Sequence, residues 1–140
     1  YGGGSGLMSD NMNFELVSPE RSVASFKVTN IHIPGSEGDM TAMLNHAPIL
    51  TTLRPGILSV TRADGVTEYV VTGGFAQITP DSVTVLAESA SEKSNFTQDD
   101  MDLLLNGTKE SLNSAVEAEK DAATKTHAEA LELAMTLGLS

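Results

Sequence analysis

Between Phe14 and Leu86 the chain has short β-branched segments in which apolar side chains alternate with polar neighbours. Ile31-His32-Ile33 and Val83-Thr84-Val85 show the pattern clearly, and it is typical of strands that bury one face. Short β-branched or apolar segments of the same kind lie at 14–16, 28–33, 58–60, 66–72 and 83–85. The pattern therefore predicts a series of short strands.

Turn residues separate these segments. They are Ser18-Pro19, Pro34-Gly35, Arg54-Pro55-Gly56, Asp64-Gly65, Gly73-Gly74 and Pro80-Asp81-Ser82, and each supplies a fixed φ, a positive φ or a side chain that bonds its own backbone. Asp64-Gly65 is the clearest hairpin signal. Closely spaced turns without an intervening helical pattern favour a sandwich or flattened barrel, so we predict a β-sandwich over 12–89.

The period changes after the last predicted strand. Residues 90–96 are small and polar, which indicates a connector, and 97–140 have the pattern of a two-helix hairpin. Thr97 and Asp100 are spaced as a capping box. An apolar stripe follows at Met101, Leu104, Leu105, Leu112, Ala115 and Val116. Ala128, Leu131 and Met135 form one face of a second helix, and the polar interval 120–125 is the expected bend. The fold class is an all-β N-terminal sandwich followed by an α-helical hairpin.

Residues 1–11 are read as a tag or linker that we expect to be disordered, because glycine and serine at this density cannot offset the entropy of ordering. Met8 and Met12 are both candidates for the native start. The 140-residue chain has 4% aromatic residues and no tryptophan, so its core must consist of aliphatic side chains and methionine.

The net charge and the absence of cysteine argue against several classes of function. The formal net charge is −11, with 8 basic against 19 acidic residues, which argues against nucleic-acid binding. The chain contains no cysteine, which excludes disulfides, zinc thiolate sites and cysteine catalysis and is compatible with a reducing compartment. No apolar run approaches the length of a membrane span.

The candidate chemistry is sparse. His32, His46 and His127 lack any spacing that would place two metal ligands on one face, and His32 is read as a solvated strand residue. Gly35-Ser36-Glu37-Gly38 lacks the strand and helix of a nucleophile elbow, and Gly73-Gly74 lacks a phosphate-loop pattern. We therefore predict no catalytic, nucleotide-binding or metal-binding residues and no cofactor.

One stretch carries more apolar residues than a solvated loop needs. Met40, Met43, Leu44, Ile49 and Leu50 lie among turn residues. Composition leaves two interpretations open: these side chains face a partner, or they close one end of the sandwich.

Five motifs resemble one family, the epsilon subunit of bacterial F-type ATP synthase, which is the homologue of the mitochondrial delta subunit. They are F-E-L-V-S-P-E at 14–20, I-P-G-S-E-G-D at 33–39, N-H-A-P-I-L-T-T-L-R-P-G-I-L at 45–58, V-V-T-G-G-F-A at 70–76 and V-T-V-L-A-E at 83–88. Together they span nearly the whole predicted sandwich, in the order and spacing of the family.

The resemblance implies a sandwich of about ten strands with a two-helix C-terminal hairpin. It implies a non-catalytic rotor subunit of the central stalk that couples proton translocation to ATP synthesis. By motif position, Ser18, His46 and Thr51 match the gamma-subunit interface, and Asp39 matches the c-ring interface. Alpha and beta subunits would be reached through the C-terminal helices. The expected location is the cytoplasmic face of the bacterial inner membrane, peripheral and without lipid insertion.

The helical half departs from the regulatory pattern of the family. In some relatives basic hairpin residues inhibit ATP hydrolysis by meeting an acidic segment of the beta subunit. Here residues 96–140 carry three lysines against nine acids, a formal net charge of −6, and no arginine. Our hypothesis is that this hairpin is a structural brace with weak or no inhibition and no useful nucleotide affinity. Two alternatives are a free-standing ligand-binding sandwich and a nucleotide-sensing regulator; sparse aromatics disfavour the first and missing arginines the second.

Overall fold

The computed structural model of the protein describes residues 11–139, so the predicted linker lies outside the described residues except for Asn11. Ten strands are followed by two helices. The strands are β1 (Met12–Ser18), β2 (Arg21–Val28), β3 (Asn30–Gly35), β4 (Gly38–Met43), β5 (Ile49–Leu53), β6 (Gly56–Arg62), β7 (Gly65–Val71), β8 (Gly74–Thr79), β9 (Ser82–Ala87) and β10 (Ala90–Glu92). The helices are α1 (Gln98–Ser114) and α2 (Lys120–Leu137), with short 3-10 turns at Lys93–Asn95 and Glu117–Glu119.

Hydrogen bonding runs through the strands in the order β10-β7-β6-β3-β5-β8-β9-β1-β2, and β4 pairs with β3. The link between β3 and β5 is the single pair Gly35 with Leu53, and there the sheet folds over on itself. We call β10, β7, β6, β3 and β4 the first layer, and β5, β8, β9, β1 and β2 the second layer. The Phe14 ring of β1 lies 6.5 Å from the Tyr69 ring of β7, so the two layers face each other. The predicted sandwich is confirmed.

The core lies between the two layers and consists of the side chains that point inward at alternate positions along each strand. Phe14, Leu16, Ile31, Leu58 and Val85 are among its fully buried side chains. The predicted Asp64-Gly65 hairpin is confirmed, because β6 and β7 pair from Arg62 with Gly65 onward.

The first helix begins where the sequence predicts. The Thr97 hydroxyl accepts the Asp100 amide, and the Thr97 amide donates to the Asp100 carboxylate at 2.9 Å, which confirms the capping box. The bend lies earlier than predicted, because α1 ends at Ser114 and Lys120 already begins α2. Part of the predicted connector also pairs as β10 with β7.

The buried face of α2 differs from the apolar face that periodicity indicated. Ala130, Leu133 and Ala134 are buried, whereas Leu131 and Met135 are exposed. Both sets have helical spacing, and the smaller side chains allow α2 to approach its neighbours closely. The periodicity therefore identified one apolar face of α2 but not the face that the helix buries.

Candidate functional site

The hairpin covers the outer face of the first layer. Val70 of β7 is 1% exposed although it lies outside the sandwich core, and its cross-strand neighbour Ile57 is half-buried. Leu133 of α2 lines the same cleft as Ile57, and Lys125 Nζ donates to the Ser36 carbonyl at 2.9 Å. This face is therefore already occupied within the chain.

The outer face of the second layer is bordered by α2, where Thr52 and Phe75 line a cleft together with Ala122 and Thr126, but Thr52 and Phe75 themselves stay exposed. Phe75 pairs with Leu86, and Leu86 pairs with Val17, and we call these three side chains the apolar row. Thr52 of β5 pairs with Phe75 at one end of the row. Phe75 is 50% exposed and Leu86 is 53% exposed. Leu50, on the same face, is 68% exposed. A contiguous apolar strip across three strands is the kind of surface that a partner covers.

The sequence creates this row by placing apolar residues in both phases of β8 and β9. Ala76, Ile78, Val83 and Val85 point into the core, while Phe75 and Leu86 occupy the opposite phase. Gly74 sets the approach of the two strands, since a Cβ at this position would lie 2.0 Å from the Leu86 carbonyl oxygen. The close backbone contact keeps the two exposed side chains side by side.

A polar cluster lies at the β3–β4 tip, next to the Thr52 end of the apolar row. Arg54 donates from Nη1 to the Gly35 carbonyl at 2.7 Å and from Nη2 to Asp39 Oδ1. His32 Nε2 lies 3.3 Å from Asp39 Oδ2. The hydrogen bond from Arg54 lowers the pKa of Asp39, with desolvation opposing it and His32 adding a smaller lowering. This cluster and Glu129 and Glu132 of α2 line a cleft of about 250 Å³.

Backbone bonds hold the same tip in place. The Ser36 amide donates to the Thr52 carbonyl at 2.9 Å, and the Arg54 amide donates to the Pro34 carbonyl at 3.0 Å. The Ser36 and Thr52 hydroxyls also bond each other. The acidic tip is therefore a fixed feature of the sandwich, with Asp39 held in a defined orientation.

The residues predicted for the gamma interface lie at separate points of the second layer. Ser18 ends β1 directly after Val17 of the apolar row, and its Oγ lies 3.4 Å from the Arg21 carbonyl oxygen. His46 is half-buried in the β4–β5 turn, with Nδ1 2.7 Å from the Ala47 carbonyl oxygen. Thr51 pairs with the buried Ala76 and points inward, while Thr52 points outward.

The sequence analysis left two roles open for the apolar residues of 40–50: packing against the core or facing a partner. The structure assigns some of them to each role. Met40 and Leu44 pack against the core, so they close the sandwich. Met43, Ile49 and Leu50 are exposed, so they are available to a partner.

Comparison with known proteins assigns the family. A family model described as "ATP synthase, Delta/Epsilon chain, beta-sandwich domain" matches residues 11–93. The chain is 48% identical over 126 residues to the ATP synthase epsilon chain of Jannaschia sp. (strain CCS1), covering 90% of this chain and 93% of that one. The chain belongs to the ATP synthase delta/epsilon family. The resemblance inferred from the five motifs is thus confirmed.

Other delta/epsilon relatives agree. The epsilon chain of Ruegeria sp. (strain TM1040) is 58% identical over 98 residues, covering 70% of this chain and 72% of that one. A chain of the Tetrahymena thermophila mitochondrial ATP synthase structure, titled "central stalk/cring", superposes with a TM-score of 0.67 at 16% identity, covering 92% of this chain and 96% of that one. At this identity the superposition supports the shared fold alone.

The sequence analysis did not identify Phe75, Leu86 or Arg54 as candidate functional residues. The signal for Phe75 and Leu86 was present, because each interrupts a strand whose other apolar residues share the opposite phase. Arg54 carried no signal beyond its turn, since its bond to Asp39 joins residues 15 positions apart. His32 was read as solvated but contacts Asp39.

Two negative observations apply to residues 11–139. They contain no group of three acidic or histidine side chains placed to hold a metal ion. None of their helices combines the length and apolar character needed to cross a bilayer.

Proposed function

We propose that this chain is a rotor subunit of the central stalk of F-type ATP synthase and binds the gamma subunit through the outer face of the second layer. The observation that carries the proposal is the apolar row, which is exposed in a chain whose other sheet face is covered by its own hairpin. Covering Phe75 and Leu86 removes apolar surface from water and so favours association.

The residues carried over by family resemblance take distinct roles in this proposal. Ser18 and His46 flank the row at opposite ends of the layer and contact gamma. Thr51 points inward, so its role is to position Leu50 and Thr52, which point outward. A rigid face of this kind suits a subunit that must remain bound while torque passes through it.

Asp39 is proposed to face the polar loops of the c ring. Its carboxylate keeps a half-exposed surface while Arg54 and His32 hold it in place, so a partner would meet a preorganised charge. The subunit is then peripheral, on the cytoplasmic face of the bacterial inner membrane, and couples proton translocation to ATP synthesis without catalysing it. Alpha and beta subunits are proposed as further contacts of the C-terminal helices.

The test is a binding titration of the full chain with the gamma subunit of the same organism, followed by size-exclusion chromatography. We expect Phe75→Ser with Leu86→Ser to weaken binding by at least about tenfold, equivalent to about 1.4 kcal/mol. Both side chains are exposed, so the melting temperature should change little.

The matched control is Leu131→Ser with Met135→Ser, which removes two exposed apolar side chains from α2. This variant should bind gamma as the parent does. Equal losses in both double variants would mean that the row is not the contact. No complex between the parent and folded gamma would reject the rotor proposal itself.

A further inference from the structure

A groove separates the hairpin from the end of the sandwich. It has a volume of about 680 Å³ and is lined by Leu103, Leu104 and Gly107 of α1, by Ala122 and Ala123 of α2, and by the loop residues Thr72 and Glu88 among others. This volume is within the range of sites that hold ligands or several side chains, about 300–1,000 Å³. The groove adjoins the Phe75 end of the apolar row, because Thr72, Glu88, Ala122 and Thr126 of its lining also border the cleft that contains Phe75.

The floor of the groove is apolar and open. Leu103 is 73% exposed and lies two residues after the buried Met101, on a different side of α1. A Cβ built on Gly107 would meet nothing within 4 Å. A helix with an interior glycine is less stable than one with alanine at the same position, so this position keeps an open notch at an energetic cost.

The rim of the groove is acidic. Glu88 and Glu119 line it, and no lysine, arginine or histidine of residues 11–139 does. Neither carboxylate forms an ion pair within that range. An adjoining recess of about 310 Å³ adds the Asp100 carboxylate and the Phe96 ring. Lys125, on the same helix as Ala122, is directed to the Ser36 carbonyl instead.

We propose that this groove is a docking site for a basic amphipathic helix of another protein. An apolar floor accepts the apolar face of such a helix, and the unpaired carboxylates of the rim complement lysine or arginine at its edges. Anionic ligands such as nucleotides are disfavoured by the same carboxylates. The inference goes beyond the rotor function. Gly107 lines the groove but not the cleft at Phe75, so Gly107→Leu and the Phe75→Ser with Leu86→Ser variant test the two surfaces separately.

The probe is a fluorescein-labelled lysine/leucine peptide of about 18 residues, long enough for several helical turns. Its control is a peptide of identical composition in a scrambled order that lacks an apolar face. Fluorescence anisotropy is measured with the full chain at about 0.15 M salt, where the Debye length is about 8 Å. We expect the amphipathic peptide to bind at least about tenfold more tightly than the scrambled one.

Two leucine substitutions on the same helix locate the site. Gly107→Leu fills the notch and adds a better helix former, so the chain should remain folded while its affinity falls at least about tenfold. Asn106→Leu, an exposed neighbour outside the groove lining, should bind like the parent. Glu88→Gln with Glu119→Gln should weaken binding and reduce its salt dependence.

Several results would overturn the proposal. Equal binding of the scrambled peptide would mean that the net charge of −11 attracts any cation. Unchanged binding by Gly107→Leu would place the contact elsewhere, as would a comparable loss in Phe75→Ser with Leu86→Ser. A concentration-dependent dimer that Gly107→Leu abolishes would assign the groove to a second copy of this chain.

Discussion

Gly74, Gly65 and Gly107 differ in what an added methyl group would meet. At Gly74 the φ is +125° and a Cβ would lie 2.0 Å from the Leu86 carbonyl oxygen, whereas Gly65, with φ +145°, and Gly107 have open space. Gly74→Ala therefore combines backbone strain with a clash against β9. We expect it to lower the free energy of unfolding by about 3 kcal/mol or more.

The two other alanine variants separate these causes. Gly65→Ala carries the strained φ alone and should cost about 1–2 kcal/mol. Gly107→Ala should stabilise the helix by about 0.5–1 kcal/mol. Urea unfolding midpoints measure all three. A Gly74→Ala chain no less stable than Gly65→Ala would contradict the close approach of β8 and β9.

The bond from Arg54 to Asp39 gives the fold a defined acid sensitivity. The pKa of Asp39 is lowered below its ordinary 3.8 in the folded chain. A lowered folded pKa contributes stability above the unfolded value, and that stability is lost as pH falls through the folded one. Asp39→Asn should therefore flatten the dependence of unfolding free energy on pH below about 4.

The size of this effect is limited by solvent. The Asp39 side chain is 47% exposed, and ion pairs at such positions contribute about 0–1 kcal/mol. The measurement is a series of urea titrations between neutral pH and the acid limit, with Glu37→Gln as the control because this exposed acid lies on the same tip. Identical acid slopes in the parent and Asp39→Asn would show that the pair stores no pH-dependent stability.

At the scale of single residues, sequence reasoning located the segments better than the side chains. The motif I-L-T-T contains the predicted interface residue Thr51 and falls on β5, but it did not tell which threonine faces outward. That choice depends on the phase of β5 against β8, where Thr52 pairs with the exposed Phe75. The contact of Arg54 with Asp39 depends on the chain reversal between β3 and β5.

At the scale of elements, the hairpin is held by a small apolar contact with the first layer. Val70 is buried beneath it, together with Met101, Ala130, Leu133 and Ala134. Val70→Asp places a charge in this contact and should release the hairpin, because burying an unpaired carboxylate is strongly unfavourable. The sandwich core lies on the other side of β7, so β1 and β9 should remain folded.

Hydrogen exchange resolves the two outcomes. Amides of α1 and α2 should exchange much faster in Val70→Asp than in the parent, while those of β1 and β9 keep most of their protection. Val66→Asp, on the same strand and 62% exposed, is the control and should leave the hairpin protected. Loss of protection throughout the chain would mean that hairpin and sandwich unfold as one unit.

Most helices and strands could be predicted from local sequence signals. Thr97 and Asp100 marked the start of α1 through a bond that spans three residues, and Asp64-Gly65 marked the β6–β7 turn. The buried face of α2 was not readable, because Ala128, Leu131 and Met135 satisfy helical spacing as well as the face that is buried. The buried face of α2 is selected by tertiary contacts, because it depends on where α1 and the first layer lie. Strand β10 was missed because three small or polar residues carry no periodicity.

At the scale of the whole molecule, the sandwich is asymmetric. Its own hairpin covers one sheet face, and the apolar row on the other face remains exposed. The sequence predicted that both parts exist, because the strand and helix periods are local. It did not predict which sheet face each part occupies, since that depends on contacts such as Lys125 with Ser36, 89 positions apart.

The charge of the hairpin gives the last prediction. Its formal charge of −6 should repel the acidic beta-subunit segment that basic hairpins meet in some relatives. Replacing the exposed acids Asp102, Glu110 and Glu117 by lysine brings the formal charge of 96–140 to zero. If charge is what prevents inhibition, the ATP hydrolysis rate of the assembled complex should fall severalfold in this variant, and more steeply at low salt.

The control replaces Asp102 by asparagine and Glu110 and Glu117 by glutamine. It makes half of the charge change of the lysine variant and adds no cation. We expect this neutral variant to hydrolyse ATP at close to the parent rate. A parent complex that speeds up severalfold when residues 96–140 are removed would show that an acidic hairpin can inhibit. Inhibition would then have to come from the length of the hairpin blocking rotation, because the electrostatic contact would be repulsive.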